Sequence, residues 1–271
     1  MSQLIFPPLV LSEWNETRDT LQKYCRMVGA IREVMSQPLP HSQQTNLLIG
    51  NKGFTTSILS KNISSPDQTF EVIIDLVNTR LIIESSYREP LKIALTGQSL
   101  NALCDETCSE LVDIGVQPPL EKPSFLEGTR GRFNKEPLKN YWDAVTSVNQ
   151  IMNKIKIELR KETSPIQLRP DDLSLILIWF YKGINDKNFS NGQQIEFGFS
   201  TGDEFFPKTH FYISTFPETV SIEKLIDKKF IVRDSRRNYK AIFWYDLLGE
   251  DANAEKTLTD FCRSAVIASA K

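Results

Sequence analysis

A chain of 271 residues with 40% apolar and 24% charged residues has the composition of an ordinary globular protein and enough material for a core. Its net charge of −2 argues against electrostatic binding of nucleic acid, which requires a basic face. Apolar runs stay well short of the roughly 20 residues of a membrane span, and the start shows no secretion signal, so we expect a cytoplasmic protein.

The first half of the chain is predicted to place short strands between two helices. One helix runs over residues 14–35 with an apolar residue every three or four positions, and Pro38 ends it. The other covers residues 99–114 and is closed by Gly115. The strands between them are predicted at residues 45–49, 54–59, 69–76, 80–84 and 91–95.

A proline- and glycine-containing linker is predicted to separate this half from the second. A long helix with one apolar stripe follows from Tyr141, and Ser164 before Pro165 stops it. Residues 173–180 (LSLILIWF) are apolar on both alternating faces apart from Ser174, which indicates a central strand covered on both sides. Further strands are predicted at residues 194–199, 210–215 and 239–244, followed by a helix at 254–270.

These elements predict an α+β fold with two similar halves, each a mostly antiparallel sheet with long packed helices. The predicted division is residues 1–117, a linker at 118–135, and residues 136–271, with one compact domain as the alternative. Trp14 and Trp142 open the long helices and Pro38 and Pro165 close them, which favours an internal duplication.

Few residues in this sequence have the spacing of a known catalytic or metal site. The histidines His41 and His210 stand apart from any Cys, Asp or Glu cluster, so no metal ligands are predicted, and for both a role without chemistry is favoured. The basic residues between Lys228 and Lys240 are read as a solvated loop rather than a phosphate site. Glu71 and Asp75 share one strand face, either as an acid pair or, as favoured, facing water.

Several short motifs, in their order and spacing, resemble domain-of-unknown-function family 5996, a set of uncharacterised and mostly bacterial proteins. The resemblance runs over nearly the whole chain. It is carried by Trp14 with Thr20-Leu21, Val28-Gly29-Ala30-Ile31-Arg32, Gly53-Phe54-Thr55-Thr56-Ser57, Phe70-Glu71 with Asp75, Arg80-Leu81-Ile82-Ile83, Ser164-Pro165-Ile166, Phe211-Tyr212 and Tyr245-Asp246.

The chain is a divergent member by this comparison, because runs of the family pattern that are rich in histidine or aromatic residues are replaced. The replacements fall at residues 40–43, 78–81, 167–170 and 198–202. In the first run only His41 is kept. Histidine and tryptophan together commonly line a ligand pocket. The resemblance therefore implies that this chain has rebuilt or abandoned a pocket of the family.

The leading functional hypothesis is a small-molecule-binding protein, which includes an enzyme of unknown class. Its pocket would use His41, Thr55, Thr56 and Tyr212, since a reactive imidazole needs a hydroxyl partner within hydrogen-bond reach. The alternative is a non-catalytic protein-interaction module whose ancestral pocket has decayed. We expect no cofactor, no nucleic acid and no membrane among its partners, and either a small-molecule ligand or a protein partner.

Overall fold

The computed structural model describes most of the chain in two compact units. The described residues are 4–60, 68–116, 128–159, 162–182, 193–203, 205–216, 230–234, 239–250 and 253–269. The N-terminal unit comprises Ser12–Trp142 and Leu168–Leu173. The C-terminal unit comprises Met1–Leu11, Asp143–Gln167 and Ser174–Lys271.

Helices and antiparallel strands make up the described chain. The helices are α1 (Leu11–Met35), α2 (Leu100–Asp113), α3 (Lys135–Leu159), α4 (Leu247–Glu250) and α5 (Ala254–Ser269), with a 3₁₀ helix at Pro40–Thr45. The strands are β1 (Leu47–Ile49), β2 (Gly53–Thr55), β3 (Leu59–Ser60), β4 (Thr69–Asp75), β5 (Arg80–Ser85), β6 (Arg88–Ala94), β7 (Gln167–Arg169), β8 (Ser174–Lys182), β9 (Gln193–Ser200), β10 (His210–Phe216), β11 (Ile231–Asp234) and β12 (Tyr239–Trp244).

The N-terminal unit joins an antiparallel sheet to α1 and the first turns of α3. Its strands follow the order β1-β2-β4-β5-β6, with β3 beside β4. Trp14 of α1 stacks on Tyr141 of α3, with ring centroids 5.1 Å apart. Phe54 of β2 meets Trp142 edge-on at 5.9 Å. These four buried rings form an aromatic core to which α1, α3 and β2 all contribute.

The C-terminal unit is built on a second run of antiparallel strands, in the order β11-β12-β10-β9-β8. One face carries Phe211 and Phe243, and the ring of Phe261 from α5 lies 5.8 Å from Phe243. The opposite face carries His210 and Tyr212, because successive strand residues point to opposite sides.

Strand β8 is covered on both faces, as its sequence predicts, and is also paired along both edges. It pairs with β9 along one edge, and on the other edge the amide of Ser164 donates to the carbonyl of Ile178 at 2.8 Å. Its side chains from Ser174 to Trp179 are all buried. The prediction of a strand covered on both sides at residues 173–180 is confirmed, and Trp179 is 1% exposed.

Two predicted strands of the N-terminal unit are shorter in the structure. The stretch 45–49 yields only β1, because the 3₁₀ helix extends to Thr45. The stretch 54–59 is interrupted after Thr55, and Ser57 adopts a φ of +62° that a continuous strand does not allow. The single strand predicted at 54–59 is therefore wrong.

Glycine at position 53 is needed for strand packing. A Cβ built there would lie 1.9 Å from the carbonyl oxygen of Ile74 in the neighbouring strand β4. The absence of a side chain at Gly53 therefore lets the backbone of β4 approach closely. The turn residues 50–53 connect β1 and β2 as predicted, with the amide of Gly50 donating to the carbonyl of Gly53 at 2.8 Å.

The mixture of helices and antiparallel strands confirms the α+β class. The similarity of two halves, their duplication and the division at residues 118–135 stay predictions. Residues 118–127 of that linker lie outside the described residues, and α3 already begins at Lys135. Among the described helices, none has both the length and the hydropathy that crossing a membrane requires.

Asp75 organises the turn between β4 and β5. Its carboxylate accepts hydrogen bonds from the backbone and side-chain amides of Asn78, both at 2.8 Å, and from Nε of Arg80 at 3.1 Å. Burial opposes its ionisation, but these bonds outweigh burial and lower the pKa of Asp75 below its ordinary value. The expectation that Asp75 faces water is wrong, because its side chain is fully buried.

Replacing Leu177 by Asp should abolish folding, because an unpaired charge would enter the fully buried face of β8. We expect insoluble protein or loss of the cooperative thermal transition followed by circular dichroism. The control is Ile157→Asp, since Ile157 of α3 is 73% exposed. A soluble, cooperatively melting Leu177→Asp protein would contradict the buried position of this strand.

Replacing Asp75 by Asn should lower the free energy of unfolding by about 2 kcal/mol at neutral pH, because hydrogen bonds to an ionised group are lost. Urea denaturation measures the change, with Glu84→Gln at an exposed position of β5 as the control.

The pH dependence of this difference is a second readout. Since folding lowers the pKa of Asp75, its contribution is present above the unfolded pKa of about 3.9 and is lost as the pH falls through the folded value. The wild type and Asp75→Asn should therefore converge in stability below about pH 4. A constant difference down to strongly acidic pH would contradict this role.

Candidate functional site

Arg32, near the end of α1, gathers backbone carbonyls from two irregular segments. Its Nε donates to the carbonyl of Thr56 at 3.0 Å. Its Nη1 donates to the carbonyls of Gln43 at 2.9 Å and Gln44 at 3.3 Å, and also to that of Asn46. Burial lowers the pKa of the guanidinium, which stays protonated because arginine is so strongly basic. The 3₁₀ helix is thereby fixed beside the end of β2.

Positive φ angles mark the same two segments. Ser42 adopts φ +54° and Ser57 adopts φ +62°, in the region that residues other than glycine rarely occupy. These positions directly follow His41 and Thr56. Strained backbone of this kind concentrates at functional sites, which makes the region a candidate for function. The side chain of His41 lies outside the described part of the chain; only its backbone, in the 3₁₀ helix, is described.

Thr55 and Thr56 use their hydroxyl groups within the fold. Thr55 donates to the carboxylate of Glu71 on β4 and accepts from the amide of Ser57 at 2.9 Å. Thr56 donates to the carbonyl of Ser57 at 2.8 Å and accepts from the amide of Val72 at 3.0 Å. Both threonines are buried. Their hydroxyl protons are therefore engaged at the point where β2 ends.

Tyr212 lies in the C-terminal unit, on β10. Its hydroxyl donates to the carboxylate of Glu196 on β9 at 2.7 Å. Its ring covers Gly198, where an added Cβ would lie 1.9 Å from Cζ of Tyr212. A glycine is therefore required beneath this ring, and any side chain at position 198 would displace Tyr212 from the acid.

His210 is completely buried two residues before Tyr212. Its Nδ1 lies 2.7 Å from the carbonyl oxygen of Lys208, and because a carbonyl only accepts, Nδ1 carries the proton. The rings of Phe206, Tyr212 and Trp244 surround the imidazole at 5.6, 6.2 and 5.9 Å. His210 therefore lies among aromatic rings, one of which, Tyr212, is hydrogen-bonded to a carboxylate. The position of His210 on its strand does not by itself predict these neighbours.

The four predicted site residues fall into both units. Arg32 links the helix that carries His41 to Thr56, so the predicted proximity of these two segments is present in the backbone. Tyr212 belongs to the other unit. A single pocket formed by His41, Thr55, Thr56 and Tyr212 stays a prediction.

A groove within the C-terminal unit, here named the Tyr245 groove, has a volume of about 460 Å³. It is lined mostly by apolar side chains and by one pair of opposite charges. Its lining residues are Phe6, Pro8, Leu9, Val10, Leu11, Pro207, Lys208, Thr209, Tyr245 and Asp246. A volume of several hundred Å³ with apolar walls and few polar groups is typical of small-molecule sites.

The N-terminal segment provides one wall of this groove, with Phe6 and residues 8–11 in the lining, and its backbone carbonyls attach it to the rest of the unit. Tyr245 donates its hydroxyl to the carbonyl of Pro7 at 2.9 Å, and Thr209 donates to that of Leu9 at 3.0 Å. Ser147 of α3 both donates to and accepts from the backbone of Ile5. Burial, and secondarily the Asp143 carboxylate, raise the pKa of Tyr245 well above its usual value, so it remains a donor.

Sequence reasoning did not find the Tyr245 groove. Tyr245-Asp246 stood out only as part of the family resemblance, and residues 5–10 had no periodic pattern. The residues that meet there are about 200 positions apart in sequence. A resemblance at Tyr245-Asp246 was the single available signal.

Two other kinds of site considered from the sequence are a metal site and a phosphate site. Within the described ranges, no three His, Cys, Asp or Glu side chains come together as a metal site. The basic side chains between Lys228 and Lys240 lie outside the described side chains.

Replacing Arg32 by Lys should destabilise the protein by about 2 kcal/mol, because a single ammonium group lacks the guanidinium fork and leaves buried carbonyls without donors. Hydrogen exchange should show faster exchange at residues 43–46 and 56–57. The control is Arg26→Lys, since Arg26 is partly exposed and pairs with Asp171 at 3.3 Å. Equal effects of the two replacements would show that Arg32 does not hold these segments.

Comparison with known proteins confirms the resemblance read from the short motifs. The model of DUF5996, described as a family of unknown function, matches residues 6–271. No curated protein and no solved structure matched the chain. Because the family match extends over nearly the entire sequence, the chain belongs to the family of unknown function DUF5996.

Proposed function

We propose that this chain binds a small molecule and that the Tyr245 groove receives it. The observation that carries the proposal is a groove of about 460 Å³ whose walls are apolar and whose charged groups are one lysine and one aspartate. The cysteines Cys25, Cys104, Cys108 and Cys262 are thiols rather than disulfides in the structure, which supports our further proposal of a cytoplasmic location, since cytosolic thiols stay reduced.

The local structure supports a preformed groove. The hydroxyl groups of Tyr245 and Thr209 hold the wall formed by residues 7–9 in place. The ring of Phe6 packs edge-on against Tyr245, with centroids 6.1 Å apart. A wall that is already fixed reduces the entropy lost on binding, so a ligand gains affinity from a modest contact area.

The pocket predicted from His41, Thr55, Thr56 and Tyr212 remains a separate proposal. Catalysis there would require the imidazole of His41 to exchange a proton with a hydroxyl partner. The described hydroxyl protons are already donated to protein acceptors. These contacts favour binding over an enzymatic reaction at this second place.

A protein-interaction module with a decayed pocket is the competing proposal. It is supported by exposed apolar residues that lie in the groove lining or within two residues of it in sequence. Phe205 is 40% exposed and Leu247 is 42% exposed, and Val10 within the lining is 47% exposed. A partner chain would cover such residues, whereas a small molecule would leave Phe205 and Leu247 in water.

We expect Val10→Trp to fill the groove and reduce binding of anilinonaphthalene sulfonate, an amphipathic fluorescent probe, several-fold relative to the wild type. Fluorescence titration of the folded protein measures the change. Val34→Trp is the matched control, because Val34 of α1 is 50% exposed, similar to the 47% of Val10, and does not line the groove.

Native mass spectrometry of the purified wild type gives a second measurement, since a retained small molecule would appear as a discrete added mass. Its loss in Val10→Trp but not in Val34→Trp would assign it to the Tyr245 groove. Equal probe binding by both variants and the wild type would contradict the proposed site.

A further inference from the structure

We propose that the Tyr245 groove selects a zwitterion with an apolar body, the chemical class of an apolar amino acid. The ligand carboxylate would face Lys208 and its ammonium group would face Asp246. This inference rests on the proposed function and adds to it the class of ligand.

Elimination among the polar side chains of the groove leads to these two residues. The polar side chains in the lining are those of Lys208, Thr209, Tyr245 and Asp246. Thr209 and Tyr245 donate their hydroxyl protons to the carbonyls of the N-terminal wall. The two hydroxyl oxygens can still accept a hydrogen bond, but Lys208 and Asp246 are the charged side chains left to recognise ionic groups of a ligand.

Lys208 and Asp246 face each other without a hydrogen bond. Lys208 Nζ lies 3.6 Å from Oδ2 of Asp246, beyond the 2.7–2.9 Å range of a charge-assisted hydrogen bond. Within the described part of the chain, neither side chain has another hydrogen bond or ion pair. Their side chains are 68% and 59% exposed, so the pair contributes little to stability and can rearrange around a ligand.

Two adjacent opposite charges favour a ligand that carries both signs on neighbouring atoms. An anion such as a fatty acid would satisfy Lys208 but bring a like charge close to Asp246. An amine would do the reverse. In an amino acid, one carbon atom separates the ammonium and carboxylate groups, so each protein charge gains a partner of opposite sign.

The apolar walls of the groove would select the apolar body of the ligand. The ring of Phe6 and the side chains of Pro8, Leu9 and Pro207 line the groove beside the charged pair. Burying an apolar side chain against them supplies most of the binding free energy, while the charges select the head group. An aromatic or branched side chain suits a groove of this size better than a small one.

The test compares three indoles that share one apolar body: tryptophan, tryptamine and indolepropionate. Each competes with anilinonaphthalene sulfonate for the wild-type protein near neutral pH. We expect tryptophan to displace the probe at about tenfold lower concentration than either singly charged compound, since each charge contact adds to affinity.

Charge-removing variants assign each contact. Lys208→Gln should weaken tryptophan and indolepropionate about tenfold but should not weaken tryptamine, because a like charge near its ammonium group is removed. Asp246→Asn should weaken tryptophan and tryptamine about tenfold but should not weaken indolepropionate, for the same reason with the signs reversed. The control is Lys154→Gln, which removes the cation of an ion pair with Glu255 outside the Tyr245 groove. It should change none of the three affinities.

The failures of the two proposals are distinguishable. Equal displacement by all three indoles, unaffected by Lys208→Gln and Asp246→Asn, would overturn the zwitterion inference while the Val10→Trp result still supports the groove. Preference for indolepropionate alone would likewise overturn it in favour of an anionic ligand. If Val10→Trp leaves probe binding intact, the proposed function fails as well.

Discussion

The need to satisfy backbone carbonyls in irregular segments is the constraint on which both candidate regions depend. A carbonyl that is buried without a donor is costly, and these segments lack the ladder of a sheet or the repeat of a helix. In the N-terminal unit, Arg32 supplies the donors for the carbonyls of residues 43, 44, 46 and 56. In the C-terminal unit, the hydroxyls of Thr209 and Tyr245 do so for residues 7–9. Since Pro7 and Pro8 have no amide hydrogen, strand pairing was not an available alternative for that segment.

Most of the regular structure could be predicted because its signals are local. The double-sided burial of β8 follows from its unbroken apolar run, and the end of α2 follows from Gly115, which adopts φ +76°. The interruption of the predicted strand at 54–59 could not be read in the same way. It depends on Arg32 and Glu71, which bind Thr56 and Thr55 from other elements, and periodicity within the segment contains no information about such partners.

The candidate sites show the same limit: the sequence gives the type of each residue but not its neighbours in the fold. Thr55, Thr56 and Tyr212 were chosen because hydroxyl groups can partner an imidazole, and the structure engages all three hydroxyl protons inside the fold. For His210, a strand position two residues before Tyr212 indicates a shared face but not full burial among aromatic rings. The requirement for glycine at position 198 likewise appears only when Tyr212 is placed above it. The sequence identifies side chains with reactive groups. The hydrogen bonds that these groups form in the fold determine whether a group can still act on a ligand.

In the proposed function, those bonds would also link ligand binding to the N-terminal segment. Pro8, Leu9 and Val10 line the Tyr245 groove, and two hydroxyl-to-carbonyl hydrogen bonds, each contributing about 1 kcal/mol, help to dock the segment that carries them. A ligand that packs on these side chains binds the docked segment and not a detached one, so its binding free energy adds to the stability of docking. The polar bonds set the shape of the wall, and the apolar contacts of a ligand reinforce that shape. Because Lys208 and Asp246 cancel in charge, the proposed selection of a zwitterion would depend on paired short-range contacts rather than on attraction at a distance.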